Sequence, residues 1–145
     1  LKPNLKKMEQ PKTYCEAINS MKPDEQLLHK QYHDEQYGFP VLGDDELFCR
    51  LVLEMNQAGL SWTTILKKQQ SFRKAYHNFS IQKVASYKKK DVTRLLNDAS
   101  IIRNRLKINA AIENAKTILQ LQKDFGSFKN WLDLNHPKTR EEWTK

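Results

Sequence analysis

Apolar residues recur three and four positions apart along most of this chain, the spacing that collects them on one side of an α-helix. The segment 45–55 carries one such stripe, made of Leu47, Phe48, Leu51, Val52 and Met55. Similar stripes run through 61–76 and 105–123. Sustained alternation of apolar and polar residues, which a half-buried β-strand shows, does not occur. The pattern therefore predicts an all-α fold of short helices.

Capping and turn residues divide the remaining sequence into shorter helices. We predict helices over 24–32, over 81–87, from Asp91 onward and after Ser127, with Asp44 or Asp45 capping the helix 45–55. The polar start of the chain holds Pro3 and Pro11. It predicts a flexible arm over 1–13, followed by one helical domain over 14–145.

The segment from Glu54 to Trp62 combines a carboxylate, a turn, an apolar tip and an indole. At about 100° per residue, Glu54 is predicted to lie on the edge of the apolar stripe, where it would be partly buried. Gly59 tolerates positive φ and ends the helix, and Ser61 is a suitable N-cap for the next. The segment therefore predicts a helix, a sharp turn and a helix, with Leu60 exposed at the tip.

The net charge of +8 and the pI near 9.5 indicate a polyanionic partner, since basic residues concentrate over 61–116 and acidic residues over 34–54. A solvated basic surface without a partner is the alternative. No apolar run approaches the ~20 residues that cross a bilayer. Cys15 and Cys49 provide no disulfide framework. These observations predict a soluble, cytoplasmic protein.

The run Gln-Ala-Gly-Leu-Ser-Trp over 57–62 and the run Tyr-His-Asp-Glu-Gln-Tyr-Gly over 32–38 resemble the DNA-3-methyladenine glycosylase I family. The resemblance continues through 66–68, 98–103 and 107–108 and covers about 14–132. It implies a compact orthogonal bundle of short helices of the helix-hairpin-helix type. It also implies a monomeric enzyme that flips 3-methyladenine out of alkylated double-stranded DNA and hydrolyses its N-glycosidic bond, without a catalytic cofactor.

The resemblance also implies roles for individual residues. Glu54 is expected to hydrogen-bond the adenine edge as the catalytic residue, with Tyr32 and Trp62 lining the same pocket. A carboxylate and π-faces are the groups that a cationic base requires. Leu60 is expected to fill the gap left by the flipped nucleotide. The expected phosphate contacts are Lys67, Lys68 and Arg103.

Each of these residues also has a purely structural interpretation. Trp62 is alternatively a core anchor, Tyr32 a buried aromatic residue, and Leu60 an inward-facing leucine. Glu54 is alternatively an ion-pair partner of Lys107 or Arg103. A tryptophan that the family often carries two residues after its N-terminal cysteine is Ala17 here, which leaves one pocket wall open or differently filled.

Cys15 and His33 match the first half of a structural zinc site in the resembled family, whose other His and Cys come from its C-terminal end. A closed zinc site needs four ligands, so we expect these two residues to lie close together without a complete metal site. A zinc ion is expected only in a full-length protein. His29, four residues before His33, is a further candidate ligand on the same helix.

The resembled family continues with a helix-hairpin-helix beyond the point where this sequence stops at Lys145. A capping-box pattern begins at Thr139, and the sequence ends a few residues into the helix that this pattern predicts. We therefore expect a chain that has lost both ends and is not by itself a competent enzyme. The alternatives are a nucleic-acid-binding pseudoenzyme that keeps the base pocket, and a helical protein-interaction module, which does not explain the segment 54–62.

Overall fold

The computed structural model describes residues 13–137, and this part of the chain contains helices and no strands. The α-helices are α1 (Tyr14–Asn19), α2 (Pro23–Glu35), α3 (Asp44–Gln57), α4 (Trp62–Ala75), α5 (Ile81–Ala85), α6 (Lys89–Asn97), α7 (Arg105–Phe125) and α8 (Phe128–Asn135). The prediction of an all-α fold is confirmed. The predicted arm, apart from Thr13, and the capping box at Thr139 lie outside the described residues.

Two compact units divide the chain, Leu1–Phe39 and Pro40–Lys145. The first contains α1 and α2, and the second contains α3 to α8. The prediction of a single domain over 14–145 stays a prediction. No helix between residues 13 and 137 is long and apolar enough to cross a membrane.

The core of the second unit is built from the inward faces of its helices. The predicted stripes of α4 and α7 are confirmed, since their inward residues are almost fully buried. These residues are Ile65, Leu66, Phe72, Ala75 and Tyr76 from 61–76, and Ile108, Ala111, Ile112, Ala115 and Ile118 from α7. At about 25 cal/mol per Å² of apolar surface, this burial is the main stabilising contribution to the unit.

Asp44 and Asp45 cap helices other than their own. The Asp44 carboxylate accepts hydrogen bonds from the backbone N–H of Phe128 (2.8 Å) and of Lys129 (3.0 Å), the first residues of α8. Asp45 accepts from the backbone N–H of Ile81 at 3.0 Å, where α5 begins. Gly43 occupies the N-cap position of α3 without a side-chain bond. The prediction that Asp44 or Asp45 caps α3 is therefore wrong, because tertiary packing brings two other helix N-termini to these carboxylates.

Two other local predictions need correction. Asp91 is the third residue of α6 rather than its cap, and its carboxylate accepts from the backbone N–H of Lys88 at 2.9 Å. Helix α1 is an unpredicted element that begins with a capping box. The Thr13 hydroxyl accepts from the Glu16 N–H, and the Glu16 carboxylate accepts from the Thr13 N–H.

A left-handed turn connects α4 to α5. His77, Asn78 and Phe79 all have positive φ, between 51° and 57°, although none is glycine. Such a conformation costs about 1–2 kcal/mol per residue. The side chain of Phe79 offsets this cost, since it is fully buried and stacks on Tyr76 with ring centroids 5.5 Å apart. Sequence patterns carry no signal for this turn, because it depends on tertiary stacking.

Candidate functional site

The inward face of α3 is shifted by one position along the sequence from the predicted stripe, with which it shares Phe48 and Val52. The buried residues are Phe48, Cys49, Val52, Leu53 and Asn56. At about 100° per residue, the Glu54 position lies ~170° from the centre of this face. Its side chain is exposed. The expectation that the carboxylate would be partly buried at the edge of the stripe is wrong for this structure, and Glu54 is instead available to a ligand from solvent.

The turn after α3 is a type II β-turn over residues 57–60. The Leu60 N–H donates to the Gln57 carbonyl at 2.7 Å. Ala58 has φ −52° and ψ 117°, and Gly59 has φ +80°. A Cβ on Gly59 would meet no atom within 4 Å, so the backbone conformation rather than space requires glycine here. The Gln57 side-chain amide also donates to the Leu60 carbonyl at 3.2 Å, which closes the turn from its other side.

Leu60 lies at the tip of this turn and is 37% exposed, as predicted. Ser61 then caps α4, its hydroxyl accepting from the Thr64 N–H at 3.2 Å. The alternative in which Leu60 packs into the core is not observed. The turn therefore presents an apolar side chain from a backbone that is constrained on both sides.

Lys107, the third residue of α7, stabilises the β-turn 57–60 through its side chain. Its ammonium donates to the carbonyls of Asn56 (2.8 Å) and Ala58 (2.7 Å). The alternative in which Glu54 pairs with Lys107 or Arg103 is wrong, because no such ion pair forms among residues 13–137. Lys107 instead satisfies carbonyls at the C-terminal end of α3, where a cation is favourable.

Trp62 opens α4 immediately after the turn. Its indole is partly buried and packs against the hydrophobic core of the second unit. The core-anchor interpretation is therefore correct for part of the side chain, while the rest remains accessible. Glu54 and Trp62 belong to the helices on either side of one braced turn. Their convergence with Tyr32 on a single pocket stays a prediction.

The three predicted phosphate contacts differ in their surroundings. Lys67 and Arg103 are exposed. Lys68 is half-buried, and its ammonium donates to the carbonyls of Ser100 (3.0 Å) and Ala99 (3.4 Å). Lys68 therefore ties the loop 98–103 to α4, a structural role that the sequence did not indicate. Arg103 is carried by the same loop, just before α7.

Tyr32 lies on α2 in the first unit and is half-buried within a group of aromatic rings. Its ring centroid is 6.3 Å from that of Tyr14 and 6.3 Å from that of Tyr37. Tyr14 and His29 are bonded, with 2.6 Å between the hydroxyl oxygen and Nδ1. Burial, followed by the neighbouring Tyr32 and Tyr37, raises the pKa of Tyr14 to about 12. The sequence analysis did not predict Tyr14 and Tyr37 as neighbours of Tyr32. The available signal was the helical spacing of the aromatic residues at 29, 32, 33 and 37.

Cys15 and His33 lie together in the first unit, as predicted. The Cys15 Sγ is 3.0 Å from the His33 Nε2, and the His33 Nδ1 is 3.0 Å from an Asp34 carboxylate oxygen. Hydrogen bonds from Lys30 and His33 lower the pKa of Asp34. A carboxylate on Nδ1 keeps the Nε2 lone pair available for a metal.

The donor set around Cys15 and His33 fits half of a tetrahedral zinc site. No group of three or more potential ligands occurs within the described range. The spacing of His29 to His33 does not produce a shared site among the described residues, because the His29 Nδ1 is bonded to the Tyr14 hydroxyl. The pair thus has the chemistry and the supporting carboxylate that a zinc ion requires, with two ligand positions to be supplied by other residues.

Comparison with known proteins identifies relatives of this chain. The model of the methyladenine glycosylase family matches residues 22–145. DNA-3-methyladenine glycosylase 1 of Escherichia coli K12 is 43% identical over 111 residues, which are 75% of this chain and 59% of that protein. This chain therefore spans about three fifths of that relative's length.

Two solved structures of 3-methyladenine DNA glycosylase I are also similar. A tyrosine-to-phenylalanine variant in complex with 3-methyladenine has a TM-score of 0.72 and 34% identity, and the match covers 80% of this chain and 60% of that one. A glutamate-to-glutamine variant from Staphylococcus aureus has a TM-score of 0.72 and 33% identity, covering 79% and 60%.

Proposed function

Because this chain belongs to the methyladenine glycosylase family, we propose that it acts in base-excision repair and releases 3-methyladenine from alkylated double-stranded DNA. The observation that carries the proposal is the braced turn that presents Leu60 between the helices bearing Glu54 and Trp62. The monomeric state and the absence of a catalytic cofactor remain predictions from the same resemblance, and the cytoplasmic location remains a prediction from the lack of a membrane-spanning run and of a disulfide framework in the sequence.

The proposed reaction needs little chemical assistance from the protein. N3-methylation makes the adenine cationic and weakens its glycosidic bond. The bond breaks with its electron pair moving to the base, a water oxygen bonds to the sugar C1′, and the water gives up a proton. Neutral 3-methyladenine leaves. The protein must therefore extract the base, recognise it and admit water, and extraction costs a few kcal/mol.

Base recognition is assigned to Glu54, Trp62 and Tyr32. The exposed Glu54 carboxylate accepts a hydrogen bond from the adenine edge and favours its positive charge. The aromatic rings supply stacking worth about 1–3 kcal/mol per base. The substituted Tyr and Glu of two solved relatives are numbered 22 residues apart, as Tyr32 and Glu54 are here, which supports assigning both residues to base recognition. Tyr14 and Tyr37, which surround Tyr32, would orient its ring.

Contact with the DNA duplex is assigned to the tip of the turn and the basic residues near it. Leu60 occupies the space left by the extruded nucleotide, as apolar wedges do. Lys67 and Arg103 contact flanking phosphates, and Lys68 contributes while it holds the loop 98–103. Binding should weaken steeply with added salt, because phosphate contacts release counterions.

The zinc assignment is part of the same proposal. Cys15 and His33 would hold a structural zinc ion, with Asp34 orienting the imidazole, and the resemblance assigns two further ligands to the family's C-terminal end. Zinc would supply folding stability rather than catalysis. Metal analysis of the full protein tests this assignment. We expect one zinc ion per chain, reduced strongly by Cys15→Ser and unaffected by Cys49→Ser, whose thiol is buried.

Chromatography of bases freed from methylated duplex DNA tests the proposed activity. We expect the full protein to release 3-methyladenine and Glu54→Gln to release it more slowly, while both bind an abasic-site duplex equally. A wild-type protein that binds the duplex without freeing any base would be the pseudoenzyme alternative. A protein that neither binds DNA nor frees a base would refute the proposal, and an interaction module would then be the better interpretation.

A further inference from the structure

Leu106, the second residue of α7, has a highly exposed apolar side chain. It is 80% exposed, compared with 37% for Leu60. The buried face of α7 is centred near Ile108, and at about 100° per residue Leu106 lies ~160° from that position. Its side chain therefore contributes nothing to the core of the second unit.

The location of Leu106 connects it to the turn that carries Leu60. The neighbouring residue Lys107 donates from its ammonium to the carbonyls of Asn56 and Ala58. The backbone that presents Leu60 is therefore no farther from the first turn of α7 than a lysine side chain can extend. Side chains on a helix tilt toward its N-terminus, so Leu106 leans toward the start of α7 and the loop 98–103.

The surroundings of Leu106 are cationic. Arg103 and Arg105 are exposed, and neither forms an ion pair with a residue in the range 13–137. An exposed apolar side chain that follows two exposed arginines in the sequence matches the edge of a DNA groove, where phosphates flank the apolar faces of sugars and bases. Arginines beside an inserted apolar residue are the arrangement with which minor-groove binders hold a deformed duplex.

We propose that Leu106 is a second apolar contact to duplex DNA, which packs in the groove beside the nucleotide gap held open by Leu60. This proposal rests on the proposed function, and its partner is the duplex flanking the lesion. Arg103 and Arg105 bind phosphates near it. Leu106 is a positioning residue, since it holds the duplex and does not touch the reacting base.

The test compares Leu106→Ala with the matched variant Leu134→Ala, whose leucine on α8 is 71% exposed. The probes are a duplex oligonucleotide with a stable abasic-site analogue, the same oligonucleotide as a single strand, and free 3-methyladenine. Loss of most of a leucine contact predicts roughly tenfold weaker duplex binding by Leu106→Ala, with single-strand and free-base binding unchanged. Leu106→Met should restore duplex binding, and Leu134→Ala should bind as the wild type does.

The proposal is overturned if Leu106→Ala binds the duplex as tightly as the wild type, or if it loses duplex and single-strand binding equally. A lower melting temperature for Leu106→Ala alone would also contradict it, because a solvent-facing leucine gives no core contact to lose. Release of 3-methyladenine is measured separately. A wild-type protein that binds the duplex without releasing the base contradicts the proposed function and leaves the Leu106 comparison valid. Absence of any duplex binding contradicts both.

Discussion

Substitution of Lys107 by methionine should loosen the turn that carries Leu60. Methionine keeps the apolar part of the side chain and removes the ammonium, which donates to the carbonyls of Asn56 and Ala58 at 2.8 Å and 2.7 Å. A hydrogen bond to a charged group contributes about 1.5–3 kcal/mol, and water screens the more exposed of these two. Removing a cation from the first turn of α7 returns a few tenths of a kcal/mol.

The net expectation for Lys107→Met is a loss of about 2 kcal/mol in the free energy of unfolding, measured by urea titration. Lys116→Met is the matched control on the same helix. Among the described residues its ammonium pairs with Glu113, at the surface, so a change below about 0.5 kcal/mol is expected. Lys107→Met should also slow base release from duplex DNA more than it weakens binding of free 3-methyladenine. Equal stability of the two variants would refute the bracing role of Lys107.

Three further substitutions test other parts of the structure. Leu60→Ala should reduce excision from duplex roughly tenfold and from single strands much less, because a wedge matters only in a stacked duplex; equal losses would remove that role. Gly59→Ala should cost about 1 kcal/mol of stability in urea titration because of its positive φ, and an unchanged stability would contradict the left-handed conformation at this position. Asp44→Ala should cost about 2 kcal/mol at pH 7, since three hydrogen bonds to its carboxylate disappear.

The pH dependence of the Asp44 effect follows from its lowered pKa. Burial alone would raise that pKa, but hydrogen bonds from Gln122, Phe128 and Lys129 outweigh it. A carboxyl group with a lowered folded-state pKa contributes stability above its unfolded pKa and loses it as the pH falls through the folded value. The stability difference between wild type and Asp44→Ala should therefore shrink below about pH 4. A difference that stays constant from pH 7 to pH 3 would contradict this.

Helices α4 and α7 were predictable because their buried faces are purely apolar. The inward positions of α4 and α7 hold no polar side chains, so the hydrophobic pattern and the buried face coincide. The face of α3 was misplaced by one residue because Asn56 is buried on it. Its side-chain amide donates to the Val52 carbonyl of its own helix at 2.8 Å, which satisfies a polar group that the pattern assigns to the surface.

Features that depend on contacts distant in sequence were not predictable. The caps supplied by Asp44 and Asp45 join positions 36 to 85 residues apart. The left-handed turn at His77 exists because Phe79 stacks in the core. The ring cluster around Tyr32 requires α1, whose start follows a polar segment without apolar periodicity. The candidate site residues came from a local motif, and the bracing by Lys107 and Lys68 came only from the structure.

Calorimetric titration with free 3-methyladenine tests most directly the central claim, that Glu54, Tyr32 and Trp62 form one pocket for the base. The proteins compared are the wild type, Glu54→Gln, Tyr32→Phe, Trp62→Ala and, as a control outside the pocket, Leu60→Ala. We predict that the three pocket variants each bind the base at least several-fold more weakly than the wild type, with an unchanged melting temperature for Glu54→Gln, whose side chain is exposed. Leu60→Ala should bind it normally. Wild-type affinity in Glu54→Gln or in Tyr32→Phe would contradict the claim.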